Sequence, residues 1–363
     1  MKLKKNYLFL VFLAILLIFA FQMTVASSAQ PVLIVGAIYV GSVNDAGYNQ
    51  AQKEGLEEMK KNIPGIELLE AENVPEGAEA ERVIENMIQQ GATLIFPTSF
   101  GHMEPAMNVA KRHPDVTFMH AGGWMQADNF GNYYGNMPPS FYPMGVAAGK
   151  MTKTDKLGFV IGLPIGWSIA NVNAFHLGAR MVNPDVTTTV VVTGGWLDRA
   201  KETAAANALI DQGCDVLTMH VDSPGTVIQT AEERGVYSIG FQSLAAQKFA
   251  PKGWITGLGF TWGGVMTEIA QQVIDGTWKS QMLRKGIAEG YIAVAPFGEA
   301  VPEDVRKVIL GAVANLAEGF NIFTGPIKDQ EGNIRLSEGE TVSDQDMGNF
   351  DWYAEGIIGK PGF

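Results

Sequence analysis

The chain has 363 residues, 47% of them hydrophobic and 18% charged, with one cysteine and a formal net charge of −12. Low charge and abundant apolar residues exclude a disordered chain, and the lack of a G-X-Y or heptad repeat excludes a fibre. A lone Cys214 excludes an internal disulfide and a Cys-x-x-Cys zinc site, and the acidic balance argues against a nucleic-acid partner, which needs a basic patch.

The N-terminus reads as an export signal. Lys2, Lys4 and Lys5 precede an apolar run from Tyr7 to Phe21, and Thr24-Val25-Ala26-Ser27-Ser28-Ala29 supplies the small residues that a signal peptidase cuts after. The alternative is an uncleaved anchor, but the run is shorter than the ~20 residues of a membrane span. We take residues 1–29 as a cleaved signal peptide, with Ala26 as the other candidate site. Cleavage removes three lysines and no acid, so the exported chain is more acidic than the whole. No cysteine lies near the cut, which leaves no site for lipid attachment there. The expected location is the periplasm, with no stable membrane insertion.

From residue 31 onward, short β-branched runs alternate with amphipathic stretches, the pattern of an α/β protein with parallel sheets. The expected strands are Val32 to Val40, Ile66 to Glu70, Thr93 to Phe96 and Val116 to Met119. Helices are expected at Tyr48 to Asn62, Ala78 to Gln90 and Glu104 to Arg112. A helix near Tyr142 to Met151 leads to a second series, with strands at Leu157 to Ile161, Thr187 to Val192, Val216 to Met219 and Val236 to Ile239. Its helices are Ser168 to Met181, Ala200 to Asp211 and Thr226 to Arg234.

The two series correspond at a nearly constant offset: Pro64-Gly65-Ile66 answers Pro184-Asp185-Val186, and Met87-Ile88-Gln89-Gln90-Gly91 answers Leu209-Ile210-Asp211-Gln212-Gly213. This implies two lobes of like topology, each a parallel sheet flanked by helices, with a ligand crevice beyond the carboxyl ends of the strands. Further on come a strand at Trp254 to Phe260, a helix at Trp262 to Asp275, a strand at Tyr291 to Val294 and a helix at Pro302 to Glu318. Three crossings near residues 155, 261 and 296 would form the hinge. The N-terminal lobe is then 31–154 plus 262–295, and the C-terminal lobe is 155–261 plus 296–363. The turn at Asp329-Gln330-Glu331-Gly332-Asn333 reads as a peripheral hairpin.

Catalytic motifs are missing from the sequence. The histidines at 102, 113, 120, 176 and 220 form no HExxH, and no P-loop, GxSxG or EF-hand spacing occurs; neither metal nor cofactor is expected. Aromatic and amide side chains recur instead where strands should end, in Asn44-Asp45-Ala46-Gly47-Tyr48-Asn49, Ser99-Phe100-Gly101, Gly122-Gly123-Trp124, Gly166-Trp167-Ser168, Gly195-Trp196-Leu197-Asp198, His220-Val221-Asp222-Ser223, Gly240-Phe241-Gln242-Ser243 and Phe260-Thr261-Trp262. Such rings stack on a planar heterocycle at ~1–3 kcal/mol per face, by analogy with base stacking, while Asp, Asn and Gln bond its edge. Plainer roles stand beside these. Asp45 and Asp198 are also helix caps, Tyr48 is equally a packing residue, and Phe100, Trp124, Trp167 and Trp196 are equally loop anchors. His220 reads as a half-buried imidazole, and Cys214, Trp278 and Trp352 as packing residues.

Asn44-Asp45-Ala46-Gly47-Tyr48-Asn49 with Gly55, Gly91 through Phe96, Asn173-Ala174-Phe175, Gly178-Ala179-Arg180, Val182-Asn183-Pro184 and Gly195-Trp196-x-Asp198 together resemble the basic membrane protein (Bmp, PnrA-like) family of ABC transporter substrate-binding proteins. Glu72-Asn73-Val74-Pro75-Glu76-Gly77-Ala78, Thr98-Ser99-Phe100-Gly101, Asp275-Gly276-Thr277-Trp278-Lys279-Ser280 and Phe323-Thr324-Gly325-Pro326-Ile327 resemble its branch associated with purine bases. The resemblance implies the type I periplasmic-binding fold, in agreement with the duplicated pattern. It also implies a ligand base held between aromatics and bonded by the first loop, so Asp45, Tyr48 and Asn49 match that loop, and Phe100 and Trp196 match the walls.

The ribose-binding positions depart from the family. The expected Asp is replaced by Gly240-Phe241-Gln242-Ser243, and the crossing Gly257-Leu258-Gly259-Phe260-Thr261-Trp262 has no lysine. A sugar would lose its charge-assisted bonds, so the implied ligand lacks ribose. The crossing also departs from the Glu-Trp pattern of the purine-base branch. The candidate ligand-binding set is Asp45, Tyr48, Asn49, Phe100, Gly123, Trp124, Trp167, Trp196, Asp222, Gln242, Phe260 and Trp262. The expected protein is a monomeric, non-enzymatic receptor that closes on a purine-like molecule and delivers it to an ABC permease with its ATPase. The alternatives are a nucleoside receptor of the same fold, a sensor feeding a signalling receptor, and an extracytoplasmic nucleoside hydrolase.

Overall fold

In the computed structural model, which describes residues 30–343 and 346–362, strands and helices alternate from the first apolar run. The signal segment lies outside the described residues. The chain runs β1 (Leu33–Ile38), α1 (Tyr48–Asn62), β2 (Ile66–Ala71), α2 (Ala78–Gln89), β3 (Leu94–Pro97), α3 (Met103–Ala110), β4 (Thr117–Ala121) and β5 (Phe130–Gly135). It continues through α4 (Met137–Met151), β6 (Lys156–Ile161), α5 (Gly166–Val182), β7 (Thr187–Val192), α6 (Arg199–Asp211), β8 (Val216–His220), α7 (Pro224–Glu233), β9 (Tyr237–Gly240) and β10 (Trp254–Phe260). Then follow α8 (Gly263–Ile274), β11 (Met282–Lys285), β12 (Ile292–Val294), α9 (Glu303–Ala317), the hairpin β13 (Ile327–Lys328) and β14 (Ile334–Leu336), and β15 (Ile357–Ile358).

The strands make two sheets, in the orders β11-β5-β4-β3-β1-β2 and β12-β10-β9-β8-β6-β7-β15. The first is parallel throughout, for example with Val35 opposite Leu68 and Leu94. The second is parallel except at one edge, where β12 runs antiparallel to β10. Central strands such as Val-Leu-Thr-Met-His of β8 are buried along their whole length, as sheets covered on both faces require. In each sheet the order reverses beside the first strand of its series, which puts a switch point for ligand binding at the carboxyl ends of β1/β3 and of β6/β8.

Two lobe boundaries differ from expectation. Helix α4 lies against α5 and so sits with the second sheet, although the sequence placed 31–154 together. Gly145, Gly149 and Gly178 allow this approach, because a Cβ at Gly145 or Gly178 would overlap the carbonyl of Phe175 or Tyr142. The first crossing therefore falls at Asn136, whose N–H donates to the carbonyl of Lys285 (2.7 Å). Strand β12, expected in the N-terminal lobe, joins the second sheet, so the third crossing falls between Lys285 and Ile292.

Strands β5 and β11 escaped the sequence reading for physical reasons. Phe-Gly-Asn-Tyr-Tyr-Gly lacks β-branched residues, yet Gly131 lets β11 approach, since a Cβ there would come within 2.7 Å of the Gln281 carbonyl. Asn129 fixes the entry to β5 by donating to the carbonyls of Ala110, His113 and Val116. Strand β11, Met-Leu-Arg-Lys, is a charged edge strand, a common protection against edge pairing. No helix among the described residues is long and apolar enough to cross a membrane.

Candidate functional site

A cavity of about 610 Å³, its mouth included, opens between the carboxyl ends of the two sheets. Tyr48, Ser99, Phe100, Ala121, Gly122, Tyr134 and Gly135 line it from the first sheet, Ile165, Trp167, Trp196, His220 and Asp222 from the second, and Met137 and Arg284 from the crossings. Five of the twelve sequence candidates are in that lining: Tyr48, Phe100, Trp167, Trp196 and Asp222.

Each aromatic wall has a local cause. Trp196 follows Gly194, whose φ of 82° turns the chain back after β7, and its carbonyl accepts the N–H of Asp222 (2.8 Å). Trp167 begins α5 behind Gly166, which the backbone of Gly348 crowds, while Gly348 itself packs on the Trp167 indole. The C-terminal tail thus braces one wall. Phe100 starts a short 3-10 turn and tilts against Trp124, with ring centroids 5.4 Å apart. Tyr48 donates its hydroxyl to the carbonyl of Thr98.

The other seven candidates lie outside the lining. Asp45 caps α1: its carboxylate accepts the N–H groups of Gly47 (2.8 Å), Gln50 (3.0 Å) and Asn49 (3.1 Å) and the Asn49 side-chain amide (2.8 Å). Asn49 is buried, its carbonyl oxygen accepting from the Gly41 N–H. Gln242, at a φ of 76°, is buried and donates to the Val221 carbonyl (3.3 Å). Gly123 sits just behind the cavity, where a Cβ would crowd His120 and Met103. Trp124 is 61% exposed at the rim. Phe260 and Trp262 are buried and stacked on each other at 4.4 Å, backing Tyr134 at 5.2 and 5.7 Å rather than reaching the cavity.

Three polar groups set the electrostatics. Asp222 makes no side-chain hydrogen bond to the described residues, and burial, with Asp45, Glu76 and Glu202 nearby, raises its carboxyl well above the usual range. Its carbonyl accepts the Tyr48 N–H (3.2 Å) and so ties the two sheets together. His220 is held neutral, its pKa lowered to about 3 by burial. Its Nδ1 faces the Asn171 side-chain amide (3.1 Å) and the Ser168 hydroxyl (3.2 Å). The Asn171 Oδ1 on the other side of that amide is buried without a partner. Arg284 donates from Nη2 to the Gly123 carbonyl (2.8 Å), and its guanidinium lies 5.6 and 5.8 Å from the ring centres of Tyr134 and Trp167. Burial lowers its pKa to about 10, so it stays a cation at neutral pH.

Tyr134 and Arg284 were not among the sequence candidates. The Tyr-Tyr pair was the only local hint of the first; nothing in Gln-Met-Leu-Arg-Lys marks the second, which reaches the cavity only because the chain recrosses to the first sheet. Among the described residues no cluster of three His, Cys, Asp or Glu side chains is placed to hold a metal.

The arrangement fits capture of a flat molecule: rings from both sheets, with a carboxyl, a guanidinium and an imidazole at the edges. Solved structures agree on the fold. A solute-binding protein of an ABC transporter from Conexibacter woesei superposes with a TM-score of 0.66 at 24% identity, covering 79% of this chain and 97% of that one, and one from Aeropyrum pernix gives 0.67 at 18%, covering 82% and 93%. A purine-binding protein of Brucella abortus is 40% identical over 94% of this chain and 97% of its own. A Haloferax volcanii protein, named as an ABC transporter glucose-binding protein, is 30% identical over 89% of this chain and 80% of its own. The model of the PnrA-like ABC transporter substrate-binding proteins matches residues 32–314. With this match, the two-sheet fold and the crevice between the strand ends, the chain belongs to the PnrA-like family of ABC transporter substrate-binding proteins, which bind small ligands for a permease and its ATPase and are not enzymes.

Proposed function

We propose that this protein captures a purine base, without ribose, between the aromatic walls of the cavity and hands it to an ABC permease. The observation that carries the reading is the pairing of Trp167 and Trp196 from one sheet with Phe100 and Tyr134 from the other around Asp222 and Arg284. Two-sided stacking suits a flat heterocycle, and the Asp222 carboxyl and the Arg284 guanidinium supply polar partners for its edge. The 40% identity to a purine-binding protein supports the same ligand class.

At the positions where the family resemblance places a ribose-binding Asp and Lys, this chain has Gln242, whose amide donates to the Val221 carbonyl, and Thr261-Trp262. A glucose ring, suggested by the name of the Haloferax relative, carries many hydroxyls, and the cavity offers few polar side chains to satisfy them. Binding would stabilise a closed state in which both sheets contact the base. In this reading the mature chain is an acidic monomer, free in the periplasm and not lipid-anchored.

Mass spectrometry of the small molecule that copurifies with the protein is the first test, with a purine base as the expected mass. Thermal melting adds an independent check, because ligand at 100 times Kd stabilises by about 2.7 kcal/mol. Stabilisation by glucose and by no base would overturn the reading.

A further inference from the structure

We propose that Arg284 makes the cavity selective for a 6-oxopurine, such as hypoxanthine or xanthine, over the 6-amino edge of adenine. The inference rests on the purine reading above and names which purine. Arg284 reaches the cavity from edge strand β11, lies beside the rings of Tyr134 and Trp167, and has no carboxylate within salt-bridge distance among the described residues. Among the described residues Nη2 donates to the Gly123 carbonyl, while Nε and Nη1 have no protein acceptor, Nη1 being fully enclosed. A half-buried cation with an unused donor lacks an acceptor that the ligand must bring, because leaving such a group unpaired is costly.

A guanidinium donates and never accepts. Its fork matches two adjacent acceptors, and O6 beside N7 of an oxopurine base in its N9–H form is such an edge; adenine in the same form places a donor, the N6 amine, beside the N7 acceptor, and that edge is matched by Asn or Gln. Neither amide lines the cavity. Asn49 is engaged with Gly41 and Asp45, and Gln242 points to the Val221 carbonyl. An amine facing the guanidinium is repelled where a carbonyl is held.

Calorimetric titration of the mature protein with hypoxanthine, xanthine and adenine tests this, alongside Arg284→Met and Arg284→Lys. Hypoxanthine or xanthine should bind at least about tenfold more tightly than adenine, in line with the discrimination a bidentate pair provides. That ratio should collapse in Arg284→Met and be partly kept in Arg284→Lys, with circular dichroism confirming that both variants fold. If the Met variant does not fold, the wild-type ratio decides alone. Adenine binding as tightly as the oxopurines would overturn the role of Arg284 and leave the purine reading standing. Tighter adenine binding that weakens as pH rises would do so too, and would assign the edge to a protonated Asp222. Failure of all three bases to bind would overturn both.

Discussion

Trp196 and Asp45 look alike in sequence as loop residues beside a strand end, and the structure gives them different work. Trp196 lines the cavity, whereas Asp45 spends its carboxylate on the amides that open α1. Trp196→Ala should therefore weaken base binding by at least tenfold, about 1.4 kcal/mol, with little change in melting temperature. Asp45→Ala should cost about 1 kcal/mol of stability, the usual worth of a helix cap, measured by denaturant unfolding.

Asp222 gives a prediction with a defined sign. Its folded-state pKa is raised, so between the unfolded value near 4 and the raised one the folded chain holds a proton that the unfolded chain has lost. Stability then falls as pH rises through that window. Asp222→Asn should melt higher than wild type at neutral pH, with a gap that shrinks in acid, and should bind the base more weakly; an unchanged melting temperature at neutral pH would contradict this. The aromatic walls were legible because Gly-Trp pairs fall at strand ends. Of the edge groups Asp222 was legible and Arg284 was not, and Asn49 and Gln242 turn to other partners, because side-chain direction depends on long-range packing that no local pattern encodes.

Elements with a clear amphipathic or β-branched pattern were readable almost to the residue: α1, β7 and β10 begin and end where the pattern put them. The misses share one cause, a tertiary partner that replaces local propensity. Strand β5 tolerates Gly131 because β11 pairs closely beside it, and α4 starts earlier than its apolar pattern because Pro138 and Pro139 enter the first turn, where proline needs no N–H partner. The same closeness makes α4 and α5 sensitive to size. Gly145→Ala puts a methyl group into the Phe175 carbonyl, and overpacking of this kind costs ~1–3 kcal/mol. The expected outcome is a lower unfolding midpoint in urea with an unchanged m-value, whereas Gly264→Ala, on an open face of α8, should be neutral.

At the scale of the whole molecule, the contact between sheets at Gly47 and Asp222 reports closure. A Cβ at Gly47 would overlap the Asp222 carbonyl and crowd Pro224. Gly47→Ala should hold the lobes apart, lowering affinity for the base while sparing the melting temperature of the ligand-free protein; small-angle scattering with saturating base should show less compaction than in wild type. Acid should act globally through buried histidines. Burial lowers the pKa of His120 and His220 to about 3 and of His176 to about 4, below the unfolded value near 6.5. Each therefore stabilises above that value and loses its contribution as pH falls, by up to about 1.4 kcal/mol per pH unit. Denaturant unfolding at pH 7 and pH 5 should show the loss, partly offset by Asp222.

The duplicated architecture was visible in the sequence because both series repeat the same strand and helix spacing. The exact crossings were not, since where the chain changes sheets depends on β12 and α4 finding partners far away. In the proposed function this crevice holds a purine base stacked between the two sheets. Calorimetric titration with hypoxanthine, inosine and glucose tests it most directly. The base should bind saturably at one per chain, and the nucleoside and the sugar much more weakly. Glucose or inosine binding as tightly as the base, or no binding of the base, would contradict it.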